Sequence, residues 1–161
     1  LSGLPIGFEP LLGTDEASLD DKGRLIFSKK KRDRLGDNFV VTHGPKGCLE
    51  AYPEPIWLDM VAKLLSMDAL NEGVAEYSAL LLGSAEDALK FDPQGRVVIP
   101  LRLRNKANIE KDVVIVGCGN RCEIWAKKEY DAYEKDRLNY GADRRSLFRE
   151  ARKMMEGQWP E

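Results

Sequence analysis

The chain has little of what enzymes, metal proteins and membrane proteins usually display. It contains one histidine, His43, and three cysteines, Cys48, Cys118 and Cys122. A lone imidazole without a partner carboxylate or thiol makes neither a catalytic triad nor a metal site. An odd number of cysteines in or beside expected strands reads as reduced thiols, not a disulfide framework. Cys118 and Cys122 straddle a turn with no further ligands in reach, so no metal and no cofactor is expected. Gly117-Cys118-Gly119 leads into another strand, not a helix, and so is no nucleotide loop. No apolar run approaches the roughly 18 residues a membrane span needs. The first residues carry Glu9, Asp15 and Glu16 without a basic segment, so they do not read as a secretory signal. A strong net charge is missing too: 25 basic residues stand against 27 acidic ones. With 43% hydrophobic and 32% charged residues in 161, the composition is that of a folded domain with a core.

What the chain does have is a duplicated motif. Asp20-Asp21-Lys22-Gly23-Arg24 precedes Leu25-Ile26-Phe27, Ser28 and the basic run Lys29-Lys30-Lys31. Asp92-Pro93-Gln94-Gly95-Arg96 precedes Val97-Val98-Ile99, Pro100 and the basic segment from Arg102. Asp20 and Asp92 stand 72 positions apart. Val40-Val41-Thr42 and Val113-Val114-Ile115 follow, then a Gly-rich turn, then an aromatic, Tyr52 or Trp125. These later pairs are 73 apart, which implies one residue inserted between helix and strand. An internal repeat sets the architecture before any local reading does. A unit of about 45 residues, made of strand, short helix and hairpin, cannot bury enough apolar surface alone. Two copies can interleave their strands around an internal twofold axis. The expected fold is therefore α+β: two repeats interleaved into one small closed pseudo-twofold β-barrel, with a helical connector and C-terminal helices.

The chain divides accordingly. Residues 1–12 form an arm, 13–53 the first repeat, 54–83 the helical connector, 84–127 the second repeat and 128–161 a helical tail with a break near Gly141. Within the repeats, Gly23 and Gly95 supply the positive φ of a tight turn and Asp20 and Asp92 open it. Ser28 suits an N-cap, and Pro100 the first position of a helix. In the connector Ile56, Met60, Leu64 and Met67 recur at helical spacing beside Trp57, Val61 and Leu65. A second helix is expected from about Ala69 to Leu82, with Gly83 just beyond its end and Leu80-Leu81-Leu82 buried on every side.

Charge is distributed unevenly. From Lys22 to Arg34 there are seven basic residues and one acidic; from Arg96 to Lys106 there are four and none. This concentration, in a chain of net charge −2, is the pattern that attracts phosphates. Arg24 and Arg96 are the candidates for base-edge contact, because a guanidinium binds guanine bidentately. Lys22, Lys29, Lys30 and Arg102 are candidates for phosphate contact. Asp20 and Asp92, with Gly23 and Gly95, would orient the loops. The bland alternatives are an intraloop Asp–Arg salt bridge and, for the lysine run, a solvated face. Lys29 to Lys31 also oppose the helix dipole in the first turn, a penalty that a bound phosphate would reverse.

The two motifs, their apolar triplets, Pro100, Trp125 and the stretch Leu80 to Ala85 together resemble the MraZ family over about residues 13–130. Ser28 stands where that family usually carries proline, Asp21 adds a second carboxylate, and the N-terminal arm is longer. The resemblance implies AbrB-like swapped-hairpin repeats and a cytoplasmic, nucleoid-associated transcription regulator. It further implies a ring-shaped homo-oligomer that binds direct repeats of double-stranded DNA upstream of the division and cell-wall operon containing its own gene. Two other readings remain: a ring-forming scaffold without DNA readout, and a hydrolase built on Asp20 or Asp92, for which no second catalytic group is evident.

Overall fold

The computed structural model describes residues 4–138 and 144–155, in two compact units, Leu1–Lys127 and Lys128–Glu161. The first repeat supplies β1 (Thr14–Ser18), β2 (Arg24–Ile26), α1 (Lys29–Leu35), β3 (Phe39–His43) and β4 (Leu49–Tyr52). The connector supplies α2 (Glu54–Leu65) and α3 (Glu72–Gly83). The second repeat supplies β5 (Glu86–Leu89), β6 (Arg96–Val98), α4 (Leu101–Lys106), β7 (Asp112–Gly117) and β8 (Cys122–Ala126). Two further helices, α5 (Lys127–Leu138) and α6 (Arg144–Met154), follow; the expected break near Gly141 lies outside the described residues.

Six strands form one antiparallel sheet in the order β1-β7-β8-β4-β3-β5, and β2 pairs with β6 as a separate ribbon. Exchanging the repeats reads the same order backwards, as an internal dyad requires. Pairing crosses between repeats: β1 lies on β7 with Thr14 opposite Val116, and β5 lies on β3 with Phe39 opposite Leu89. The sheet is not closed, which corrects the expected barrel. Its edges are β1 and β5, and the three-residue strands that could have bridged them pair with each other instead. Apart from an isolated bridge between Leu19 and Leu25, the ribbon stands apart from the sheet.

The hairpin register also revises the repeat alignment. Val40 faces Tyr52 and Val114 faces Trp125, so equivalent residues of β3 and β7 are 74 apart. Two residues are inserted between helix and strand, not one, and the second hairpin turn is one residue shorter. The reason is steric. A one-residue slip would turn every strand side chain to the opposite face, and the core dictates which face Phe39, Val41, Val113 and Ile115 take.

That core lies on one side of the sheet, closed by the ribbon and by α1 and α4. Phe27, Leu35, Leu49, Ile99, Leu103 and Ile124 are among its fully buried members. On the other face, Val40, Tyr52, Ile56, Trp57, Leu64 and Leu81 form a second cluster with the connector. Of Leu80-Leu81-Leu82 only Leu81 is buried, because one face of α3 packs on β3 while the opposite face is open. The helix starts at Glu72, after Asn71 caps the Val74 amide, and runs through Gly83 to a C-cap at Ser84. The Ser84 hydroxyl ties the helix to the sheet, 2.9 Å from Thr42 Oγ1 and accepting from the His43 amide at 3.2 Å. The N-terminal arm is anchored at its end: Leu11 is buried and exchanges two backbone hydrogen bonds with Gly119.

The dyad passes between β4 and β8, where Glu50 stands opposite Glu123. Both are buried, and like charges directly opposite repel. Arg121 Nε lies 2.5 Å from Glu50 and its terminal nitrogen 3.5 Å from Glu123, and Lys46 reaches Glu123 at 3.1 Å. Tyr52 and Trp125, the aromatics that end the two copies, donate hydrogen bonds to Glu50 and Glu123. Removing one partner of a buried ion pair costs about 3–5 kcal/mol. Arg121→Leu is accordingly expected to lower the urea-unfolding free energy at pH 7 by about 3 kcal/mol or more. A loss below 1 kcal/mol would mean that Lys46 and solvent suffice.

Candidate nucleic-acid interface

The two Asp-x-x-Gly-Arg loops fold alike. In the first, Asp20 Oδ1 accepts from the amides of Lys22 and Arg24, each at 2.9 Å, and Oδ2 accepts from Arg24 Nε at 2.5 Å. In the second, Asp92 Oδ1 accepts from the amides of Gln94 and Arg96, each at 2.9 Å, and Oδ2 accepts from Arg96 Nε at 2.7 Å. Gly23 and Gly95 complete the turns, with φ of 73° and 79°. The carboxylates respond to these donors. Desolvation raises the Asp20 pKa, but the Arg24 amide, the Arg24 guanidinium and the Lys22 amide together hold it below the ordinary carboxylate range. For Asp92 the Arg96 amide leads, and its guanidinium and the Gln94 amide add to it in the same direction.

The intraloop salt bridge therefore exists, and it directs the arginines. Each guanidinium is fixed through Nε only. Among the described residues, the terminal nitrogens of Arg24 and Arg96 donate to no protein acceptor, and about a quarter of each side chain is exposed (26% and 25%). That is the posture of a guanidinium oriented from behind, with the fork facing away from its anchor.

The ribbon brings the two loops together. Arg24 pairs with Val98, Leu25 with Val97 and Ile26 with Arg96. Directly opposed residues of an antiparallel pair share a face, and alternate residues along a strand return to it. Leu25 and Val97, at the centre, point into the core and are buried. Arg24, Ile26, Arg96 and Val98 therefore occupy the outer face, with the arginines at diagonal corners about 8 Å apart at the backbone. Two bonds prolong the ribbon, from Ile99 N to Gly23 O (3.1 Å) and from Phe27 N to Gly95 O (3.3 Å).

A reciprocal clamp holds it. Arg32 of α1 lies against Gly95, and Arg104 of α4 lies against Gly23. Arg32 Nε donates to Phe27 O at 3.2 Å and Arg104 Nε to Ile99 O at 2.9 Å. A Cβ at Gly23 would sit 2.8 Å from the Arg104 guanidinium, and one at Gly95 2.6 Å from that of Arg32. Each loop glycine thus adopts a φ that other residues take at a cost and leaves room for the arginine of the other repeat. By charge alone Arg32 and Arg104 are undifferentiated basic residues. Their own 72-residue spacing was the available signal.

The remaining candidates divide. Lys22 and Lys30 are exposed. Lys29 is exposed and pairs with Asp33 at 2.8 Å, a surface contact worth little. Arg102 is committed elsewhere, donating to Ser84 O at 2.9 Å and to Glu86 at 2.6 Å. Lys31, from the same basic run, is buried against Asp15 at 2.5 Å. Ser28 caps α1 by accepting from the Lys31 amide, and its counterpart Pro100 is the N-cap residue of α4, not its first helical one. Burial, aided by Glu123 and Glu50, pushes the Cys48 thiol up to about 12, and burial does the same to Cys122. Among the described residues, no three His, Cys, Asp or Glu side chains converge as a metal site would require. No described helix is long and apolar enough to cross a membrane.

Comparison with known proteins agrees with the duplicated architecture. Residues 11–75 and 82–149 match a family described as "MraZ protein, putative antitoxin-like". A protein of Chromobacterium violaceum named transcriptional regulator MraZ is 42% identical over 130 residues, covering 78% of this chain and 87% of its own length. Proteins of the same name from Pelotomaculum thermopropionicum and Natranaerobius thermophilus are 39% and 38% identical, covering 76% and 77% of this chain and 84% and 86% of their own lengths.

A depressed carboxylate pKa gives the loops a defined acid response. The stabilisation is fully present above the unfolded value of about 3.9 and is lost as pH falls through the lower folded value. Protection of the Arg24 and Arg96 amides, taken relative to the unstructured exchange rate at the same pH, should persist down to the ordinary carboxylate range and fall only in stronger acid. Asp92→Asn should abolish that response at Arg96 while leaving Arg24 unchanged; exchange independent of the carboxylates would refute it.

Proposed function

Because this chain belongs to the MraZ family, we propose that it is a DNA-binding transcription regulator whose paired ribbon and loops enter the major groove. The observation that carries the reading is the presence of Arg24 and Arg96 on one outer face, each aimed by its own aspartate. The major groove admits a two-stranded ribbon, and an arginine fork matches the O6 and N7 acceptors of guanine. Lys22, Lys29 and Lys30 supply phosphate attraction beside the first loop. Arg102 contributes to phosphate binding only if it exchanges Glu86 for a phosphate.

The head is symmetric in backbone and asymmetric in charge. Lys22 of the first loop corresponds to Gln94 of the second, and Lys29 corresponds to Leu101. Half-sites met by unequal charge favour a directional target, in keeping with direct repeats over a palindrome. The proposed target is the promoter region of the division and cell-wall operon that contains the protein's own gene, in the cytoplasm at the nucleoid.

The connector supports assembly into a ring. Leu65, Leu70, Tyr77 and Leu80 are from 49% to 91% exposed on or between α2 and α3, an apolar surface suited to a second copy. Trp57 is buried within its own chain, so it supports the helix from beneath and is not part of that surface. Repeated modules gain affinity by effective concentration. A scaffold role without DNA would use this same surface and leave the arginines idle.

Gel retardation with a repeat-containing duplex from the gene's upstream region, at two salt concentrations, tests the DNA reading. Affinity should fall steeply with salt, and Arg24→Ala or Arg96→Ala should each weaken binding by about tenfold or more, corresponding to 1–3 kcal/mol per lost bidentate contact. A scaffold would show no retardation. Light scattering should return a multimer that Leu70→Asp with Leu80→Asp dissociates; a wild-type monomer at micromolar concentration would refute the ring.

A further inference from the structure

The outer face of the ribbon contains more than its arginines. Ile26 is 56% exposed and Val98 is 53% exposed, at the two corners that Arg24 and Arg96 leave open. Each apolar side chain stands directly opposite an arginine of the other strand: Val98 faces Arg24, and Ile26 faces Arg96. Single exposed hydrophobic residues need no explanation. A pair repeated across the dyad, flanking the two oriented guanidinium groups, occupies the surface that would meet a ligand of the arginines.

A ligand seated on this face must cover both side chains. In the major groove, most of what a base edge presents is a hydrogen-bond donor or acceptor, and the C5-methyl group of thymine is the apolar exception. Against guanine, cytosine or adenine edges, Ile26 and Val98 would displace water from polar atoms and return no hydrogen bond. Against thymine they would bury methyl on methyl. We propose that Ile26 and Val98 read thymine methyl groups, so that each arginine–aliphatic pair recognises a guanine with a thymine close by. The inference rests on the DNA-binding reading and adds to it the class of base that accompanies the guanine. Opposed side chains of an antiparallel pair lie about 5 Å apart and successive base pairs about 3.4 Å apart. The two bases are therefore neighbours or one step removed.

The test compares one upstream-region duplex in two forms, with thymine and with deoxyuridine replacing thymine throughout the repeats. Deoxyuridine preserves every hydrogen-bonding group and deletes only the methyl. The wild-type protein should bind the deoxyuridine form more weakly by about fourfold per contacted methyl, the ratio equivalent to about one buried methylene. Ile26→Ser and Val98→Ser should each shrink that ratio, and the double variant should bring it to about one. Both positions are more than half exposed, and urea midpoints equal to wild type would certify the folds. Arg24→Ala should weaken binding to both duplexes alike and leave the ratio intact. A wild-type ratio of one, with the arginine variants still impaired, would overturn methyl reading and leave DNA binding standing. Absence of binding to either duplex would overturn both together. The wild-type comparison needs no variant, so the outcome does not depend on how any substitution folds.

Discussion

The antiparallel pairing of β2 with β6 is the interaction on which the rest depends. Three residues from each repeat meet there, and Leu25 and Val97 at the centre are the only pair that faces inward. A two-stranded ribbon of this length has no stability of its own in water. It persists because those two side chains join the main core and because the arginines of α1 and α4 are laid against the opposite repeat's loop glycine. Each repeat therefore finishes the other's loop. Separated, each copy would lose its clamp, its ribbon partner and an edge pairing of its sheet at once.

That interdependence explains why the loops can be precise while remaining small. Asp20 and Asp92 take two backbone amides and one guanidinium Nε each, which consumes their acceptor capacity on one side and leaves the arginine forks directed outward. The glycines accept a φ that other residues adopt at a cost and offer no Cβ to the guanidinium behind them. Arginines already held through Nε lose less entropy on meeting a planar partner than free ones would. In the proposed DNA contact, affinity would depend on geometry prepared in the free protein, with the lysines of the first repeat adding a longer-range field.

The second place where the dyad has consequences is the Glu50–Glu123 pair. Symmetry brings two identical carboxylates face to face, and symmetry alone offers no remedy, since a cation supplied by both copies would crowd the same space. The chain resolves this by breaking the repeat: Arg121 in the second copy corresponds to Cys48 in the first, so one guanidinium serves both acids. A similar departure appears in the loops, where Lys22 and Gln94 differ. Duplication supplies the frame, and unmatched positions give it direction.

The sequence by itself determined the duplication, the turn-forming roles of Asp20, Gly23, Asp92 and Gly95, the Ser28 cap, the hairpins and the position of the connector helices. These are local, and spacing, turn chemistry and periodicity report them directly. The tertiary structure alone decided that the six-stranded sheet stays open, that equivalent residues of β3 and β7 are 74 apart, and that Trp57 lies beneath the connector while Leu80 faces out. It alone placed Arg32 and Arg104 against the glycines of the opposite repeat. In one dimension these two are basic residues near a repeated motif. Which partner a side chain meets depends on strand pairing across some seventy residues of chain, and a pattern of neighbours along the sequence contains no record of contacts made at that separation.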